Sequence, residues 1–147
     1  LIVHITNMGA LDKIADIIPE VAYKVADACW PGPLTMIFQK TEEVPYETTG
    51  GLDTVAVRMP SDEIARALID AGGGYIAAPS ANTSGRPSPT KAEHVEEDLS
   101  GKIEMILDGG AVDIGVESTI LDMTVTPPMI LRLVRLQRRC SQNLSVK

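Results

Sequence analysis

The feature that most restricts how this chain can fold is a repeated change of hydrophobic period. Short runs of branched and apolar residues, 1-LIVHI-5, 34-LTMIFQ-39, 53-DTVAVRM-59 and 75-YIAA-78, suit pleated strands. Between them, 11-LDKIADII-18, 20-EVAYKVADACW-30 and 62-DEIARALIDA-71 place apolar residues three and four apart, as amphipathic helices do. Pro19 divides the first two helices, and 31-PGP-33 stops the second, because proline cannot continue a helix interior. Ser61 precedes the third helix, acidic residues fill its first turn, and 72-GGG-74 ends it. A helix at 91–99 with Thr90 as N-cap follows, then strands at 103–107, 118–123 and 129–132. Strands that alternate with helices and then accumulate predict the α/β class: an open, twisted, mixed sheet with helices packed on it.

A chain of 147 residues fits one domain and buries a core without staples. With one Phe, one Trp and three Tyr, that core is built from Ile, Val, Leu, Ala and Met. The sequence carries no apolar stretch of about 20 residues and no basic segment leading into an apolar one, so a soluble cytoplasmic protein without membrane contact is expected. Cys29, Cys140, His4 and His94 show no metal-ligand spacing, which predicts reduced thiols and no metal site. The net charge of −7 disfavours a broad nucleic-acid surface while leaving room for a local basic patch. Charge is not evenly spread: no acidic residue follows Asp122, whereas Arg132, Arg135, Arg138, Arg139 and Lys147 do.

The candidate chemistry lies in loops and strand ends. The stretch 79-PSANTSGRPSPT-90 offers the hydroxyls of Ser80, Thr83, Ser84, Ser88 and Thr90, the amide of Asn82, the guanidinium of Arg86 and a flexible backbone at Gly85. Such groups suit a phosphate cradle, and equally a turn that caps itself through Asn and Ser/Thr side chains. The spacing is not that of a Walker A loop. Arg58 ends an apolar strand, where it either clamps a carboxylate or phosphate or forms a surface ion pair, and Arg132 has the same two readings. His4, inside an apolar strand, fits a hydrogen-bonded core histidine better than a catalytic base. Glu117 and Ser118 follow the glycine-bearing stretch 108-DGGAVDIG-115, which also reads as a hairpin connection. Hydroxyls and arginines without an evident general base suit group transfer from a nucleotide, where positioning and charge stabilisation dominate and Mg²⁺ often assists.

Several of these segments, in order, resemble the YrdC family of threonylcarbamoyl-AMP synthases: 31-PGPLT-35, 54-TVAVRMP-60, 77-AAPSANTSGRPSPT-90, 108-DGG-110, 115-GVESTI-120 and 130-ILR-132. The resemblance covers residues 1–132 and implies a YrdC-like sheet with a concave crevice. It also implies a reaction that joins L-threonine, bicarbonate and ATP into threonylcarbamoyl-AMP and pyrophosphate, the product passing to the proteins that complete threonylcarbamoyladenosine in tRNA. By motif, Thr54, Ser80, Asn82, Ser88 and Arg132 would meet ATP, while His4, Arg58, Ala78 and Ser118 would hold threonine. Two other readings are a non-catalytic double-stranded RNA or tRNA binding module, and the YrdC-like domain of a hydrogenase-maturation carbamoyltransferase.

The departures from the family shape the expectations too. Its members carry an upstream threonine-rich segment and a Lys-x-Arg motif, both missing ahead of 1-LIVHI-5, so a sheet incomplete at its N-terminus and an inactive fragment are expected. Residues 133–147 replace the family's Pro-Gly-Ala-Ile-Thr continuation and form a non-family tail. In the genetic code, CTG GTG CGA TTA CAA AGG AGA TGC TCT is one of the codon series that specify the residues Leu133 to Ser141. With one C restored ahead of them they read Pro-Gly-Ala-Ile-Thr-Lys-Glu-Met-Leu, which predicts a tail translated out of frame.

Overall fold

A computed structural model describes residues 1–112, 117–134 and 140. The described chain runs β1 (Ile2–Ile5), α1 (Met8–Ile14), α2 (Glu20–Cys29), β2 (Leu34–Gln39), α3 (Tyr46–Thr49), β3 (Thr54–Arg58), α4 (Glu63–Ala71), β4 (Tyr75–Ala78), α5 (Ala92–Leu99), β5 (Thr119–Asp122) and β6 (Met129–Arg132). The six strands form one mixed sheet in the order β4-β1-β3-β2-β5-β6. Within it, β1 runs parallel to β3 and β2 to β5, while the other neighbours are antiparallel. This is the open mixed α/β sheet that the alternating periods predict.

Contacts divide the chain into two compact units, Leu1–Ala78 with Glu117–Lys147, and Pro79–Val116. The first holds the whole sheet. Side chains alternate across a strand, so Val3 and Ile5, Leu34, Met36 and Phe38, Val55 and Val57, and Leu121 all fall on one face, and all are buried. They pack with Ala10, Leu11 and Ile14 of α1 and Ala22, Val25 and Ala26 of α2 in one core. On the other face Thr35 is buried, whereas His4, Thr54, Arg58, Ile76, Ala78 and Ile120 are only half-buried. The sheet therefore presents an apolar face to its helices and a mixed, partly open face on the other side.

Several boundaries differ from expectation for identifiable reasons. Helix α1 begins at Met8 rather than Leu11 because the Asn7 side-chain oxygen accepts the Ala10 N–H at 3.0 Å, an N-cap that hydrophobic spacing does not reveal. It ends at Ile14 rather than at residue 18, since Ala15 bridges Lys40 and the Asp16 N–H reaches the Gln39 carbonyl at 2.9 Å. Asp62, not Ser61, caps α4 by accepting the Ala65 N–H at 2.8 Å. Thr90 does not cap α5: its N–H donates to His94 Nδ1 at 3.3 Å, and Lys91 occupies the cap position without a side-chain bond.

The strand expected at 103–107 does not form. Its apolar side chains, Ile103, Met105 and Leu107, stay exposed, because their unit holds no described strand to pair with. Cys29, at the end of α2, and Cys140 are joined in a disulfide and buried, which corrects the expectation of two reduced thiols. Of the tail, residues 135–139 and 141–147 lie outside the described residues, and so do Gly115 and Val116 of the 115–120 motif.

Candidate functional site

The half-open face of the sheet gathers polar groups where three strands meet. Strand β3 carries Arg58 at its C-terminal end. The register places Arg58 beside His4 of β1 on one side and Thr35 of β2 on the other. Strand β2 in turn pairs with β5, just ahead of which stands Ser118. Arg58, Thr35 and Ser118 thus share one face of three adjacent strands, with strand axes about 4.8 Å apart.

The turn 30-WPGPLT-35 fixes these groups. The Arg58 Nε–H donates to the Gly32 carbonyl at 3.2 Å, and the Gly32 N–H donates back across the strand end to the Met59 carbonyl at 2.9 Å. The Thr119 N–H reaches the Pro33 carbonyl at 3.1 Å, and the Trp30 indole N–H the Leu34 carbonyl at 2.8 Å. The turn is therefore tied to β3 on one side and to β5 on the other.

The two arginines behave differently. Among the described residues no carboxylate pairs with Arg58, and burial lowers its pKa from the ordinary arginine value. An arginine remains charged throughout, so its remaining N–H donors stand ready for an anion. The surface ion pair considered for Arg58 does not form among the described residues. Arg132 does form one: Nη1 pairs with Glu117, while Nε and Nη2 donate to the Ser118 carbonyl at 3.1 and 2.9 Å. It closes the end of the sheet around Ser118.

His4 is held below its usual pKa by burial first and then by the charge of Arg58, with hydrogen bonds to the backbone of Ile76 and Ile2 acting in the opposite sense. It is therefore a neutral imidazole at pH 7, able to donate and accept one hydrogen bond each. Ala78 ends β4 opposite Ile2, two residues along β1 from His4. Thr54 lies on the same face as Arg58 but at the opposite end of β3, about 13 Å away at strand rise. Thus His4, Arg58 and Ser118 come together through register, Ala78 borders them, and Thr54 stands apart.

In the second unit, 79–90 is a structured loop. The Asn82 amide nitrogen donates to the carbonyls of Thr83 at 3.1 Å and Arg86 at 2.8 Å, while its own carbonyl oxygen is buried without a partner among the described residues. Gly85 occupies left-handed backbone at φ 87°, which favours glycine. Asp98 of α5, 8% exposed, accepts the Thr83 N–H at 3.2 Å and pairs with Arg86. Arg86 is therefore paired within its own unit, and the Asn82 amide nitrogen is used within the loop. Ser80 and Ser88 remain exposed.

Sequence reasoning missed three participants. Thr35 places its hydroxyl 2.7 Å from that of Ser118, Gly32 receives Arg58, and Asp98 anchors the loop. A signal existed for the first: Thr35 is the polar residue in the apolar run 34-LTMIF-38, on the side away from the core.

Comparison with known proteins adds to this geometry. Residues 1–133 match the Sua5/YciO/YrdC family model, described as telomere recombination. Threonylcarbamoyl-AMP synthase of Pyrococcus abyssi (strain GE5 / Orsay) is 58% identical over 132 residues, covering 90% of this chain and 39% of the relative. The protein of the same name from Bacillus subtilis (strain 168) is 50% identical over 133 residues, covering 90% of this chain and 38% of the relative. The crystal structure of P. abyssi Sua5 complexed with L-threonine superposes with a TM-score of 0.87 at 57% identity, over 90% of this chain and 39% of that one. The chain thus spans about two fifths of the length of these relatives.

Proposed function

The chain belongs to the Sua5/YciO/YrdC family, and from that premise we propose that it is the amino-acid-binding part of a threonylcarbamoyl-AMP synthase. The observation that carries the reading is Arg58: a desolvated guanidinium without a carboxylate partner among the described residues, set between a neutral imidazole and a buried hydroxyl pair. An α-amino acid matches that set. Its carboxylate meets Arg58, and its ammonium and side-chain hydroxyl find acceptors and donors at His4, Ser118 and the end of β4 at Ala78. The solved relative that carries L-threonine supports the choice of amino acid.

In the complete reaction the threonine amine nitrogen first bonds to the carbon of bicarbonate and water leaves, which gives a carbamate. A carbamate oxygen then attacks the α-phosphorus of ATP as the bond to pyrophosphate breaks. Both partners are anions, so the work of the protein is to hold them together against their repulsion, and cationic and hydroxyl groups supply that. By motif, Thr54, Ser80, Asn82, Ser88 and Arg132 are assigned to ATP. Arg132 would have to exchange Glu117 for a phosphate to play that part. Among the described residues no group of three or more His, Cys, Asp or Glu side chains is placed to hold a metal, so Mg²⁺ would arrive on the ATP phosphates. The product is destined for the proteins that complete threonylcarbamoyladenosine in tRNA, in the cytoplasm; among the described residues no helix is long and apolar enough to cross a membrane. We assign residues 1–132 to the family domain and 133–147 to a tail outside it.

Calorimetric titration of the purified chain with L-threonine tests the reading. Saturable binding that D-threonine does not reproduce is expected; equal binding of the two enantiomers, or none of either, overturns it. Pyrophosphate release from ATP, bicarbonate and L-threonine then reports whether this length of chain suffices for the reaction.

A further inference from the structure

We propose that Thr35 is a positioning residue: its hydroxyl fixes the Ser118 hydroxyl in the orientation that the bound amino acid requires. The inference rests on the threonine reading above and extends it to a residue that does not itself meet the ligand.

Thr35 is fully buried, at 0% exposure, and Ser118 is nearly so at 4%. Their oxygens lie 2.7 Å apart, 83 residues distant in sequence. Two hydroxyls in that relation share one proton, which leaves a second proton and spare lone pairs. If Thr35 donates, the Ser118 proton is free for a ligand oxygen; if Ser118 donates, its lone pairs are free for a ligand ammonium. In both cases the buried partner decides which rotamer Ser118 adopts before ligand arrives, which removes an ordering cost from binding.

The surroundings leave Ser118 little other freedom. Its carbonyl is held by Nε and Nη2 of Arg132, and the next residue donates its N–H to the Pro33 carbonyl. The backbone is thus fixed and the side-chain torsion is what remains to be set; Thr35 sets it. The same residue stands opposite Arg58 in the β2–β3 register, so one side chain lies between the carboxylate-binding group and the hydroxyl. A buried Thr in an otherwise apolar strand costs desolvation that an aliphatic residue would avoid, and that cost is offset where the hydroxyl has a partner to hold.

The test uses three variants of the full chain, with L-threonine affinity and thermal melting as parallel measurements. Thr35→Val keeps the shape and removes the hydroxyl; about tenfold weaker L-threonine binding is expected, the scale of a buried hydroxyl left unpaired. Thr35→Ser keeps the hydroxyl and removes a buried methyl; affinity should match the parent although the melting temperature falls. In a Ser118→Ala background, Thr35→Val should cost no further affinity. A role in packing alone gives the opposite order, with Thr35→Ser the weaker binder, and that result overturns the inference, as does parental affinity in Thr35→Val. Should Thr35→Val not fold, Thr35→Ala takes its place with the same expected order. A parent chain that ignores L-threonine overturns the threonine reading and this inference together, whereas parental affinity in Thr35→Val overturns the inference alone.

Discussion

The sheet and the loop of residues 79–90 hold their polar groups by different physics. On the sheet, His4, Arg58 and Ser118 are placed by strand register, and a shift of one residue would turn every side chain to the opposite face. Their positions are shared property of a core in which Phe38, Met36, Leu34, Val55 and Val57 are buried. In the loop, order depends on few contacts: the Asn82 amide, Gly85 in left-handed backbone, and Asp98 gripping Thr83 and Arg86. The lesson is that the same residue types are stiff where backbone pairing places them and locally adjustable where side chains do. A group that must select an amino acid belongs on the first kind of support; groups that must follow a long flexible anion suit the second.

The largest expected effect concerns the sheet. Phe38→Ala should cost about 3–5 kcal/mol, the usual price of emptying a fully buried aromatic site, and lower the melting temperature accordingly. Under conditions where the variant stays folded, amide exchange in residues 82–90 should keep its original rate. Equal loss of protection in both regions would erase the distinction drawn between them.

Next, Arg58→Ala should weaken L-threonine binding about 10- to 100-fold, as removal of a charge-assisted hydrogen-bonding partner does, with little change in melting. Arg132→Ala offers the contrast: it meets no amino acid itself, its pair with exposed Glu117 contributes less than about 1 kcal/mol, and its effect on L-threonine binding is the smaller, indirect one of releasing the Ser118 carbonyl. If the two arginines prove equal in L-threonine titrations, Arg58 is not the carboxylate clamp.

Smaller still, Asp98→Asn should cost about 1–2 kcal/mol, confined to its own unit, since it weakens one charge-assisted bond and spares the sheet. Hydrogen exchange of the Thr83 and Arg86 amides reads this directly, and unchanged rates would show that Asp98 does not anchor the loop. Finally, His4 should give a shallow pH dependence. Its folded-state pKa lies below 6.5, so it favours the folded protein above pH 6.5, and that contribution drains away as pH falls from 6.5 toward the folded value. His4→Gln should flatten melting curves in that window, and Arg58→Gln should raise the His4 pKa in an NMR titration. A His4 pKa indifferent to Arg58 would separate the two residues that register places side by side.

Much of the fold was legible because hydrophobic period reports burial directly. Strands β2, β4 and β6 occupy the residues that their composition marks, and α2 ends within one residue of expectation. What escaped depends on partners distant in sequence. Asn7 begins α1 through a single side-chain bond, and the apolar alternation at 103–107 found no neighbouring strand. No spacing rule links Cys29 with Cys140, 111 residues away. For the site, arginines at strand ends were readable by position, whereas Thr35 looked like one more strand residue until β5 came to lie beside β2. Family motifs supplied the proposal for which residues face a ligand; tertiary pairing was needed to see what holds them.

The turn 30-WPGPLT-35 has one more consequence. Because it is tied to β3 and to β5 at once, the separation of the Arg58 and Ser118 backbones is set by two strand spacings, about 10 Å. A bulkier amino acid could not widen this gap by repacking one residue; it would have to break the sheet. Tolerance for unnatural amino acids should accordingly be poorer between these two groups than along the strand direction.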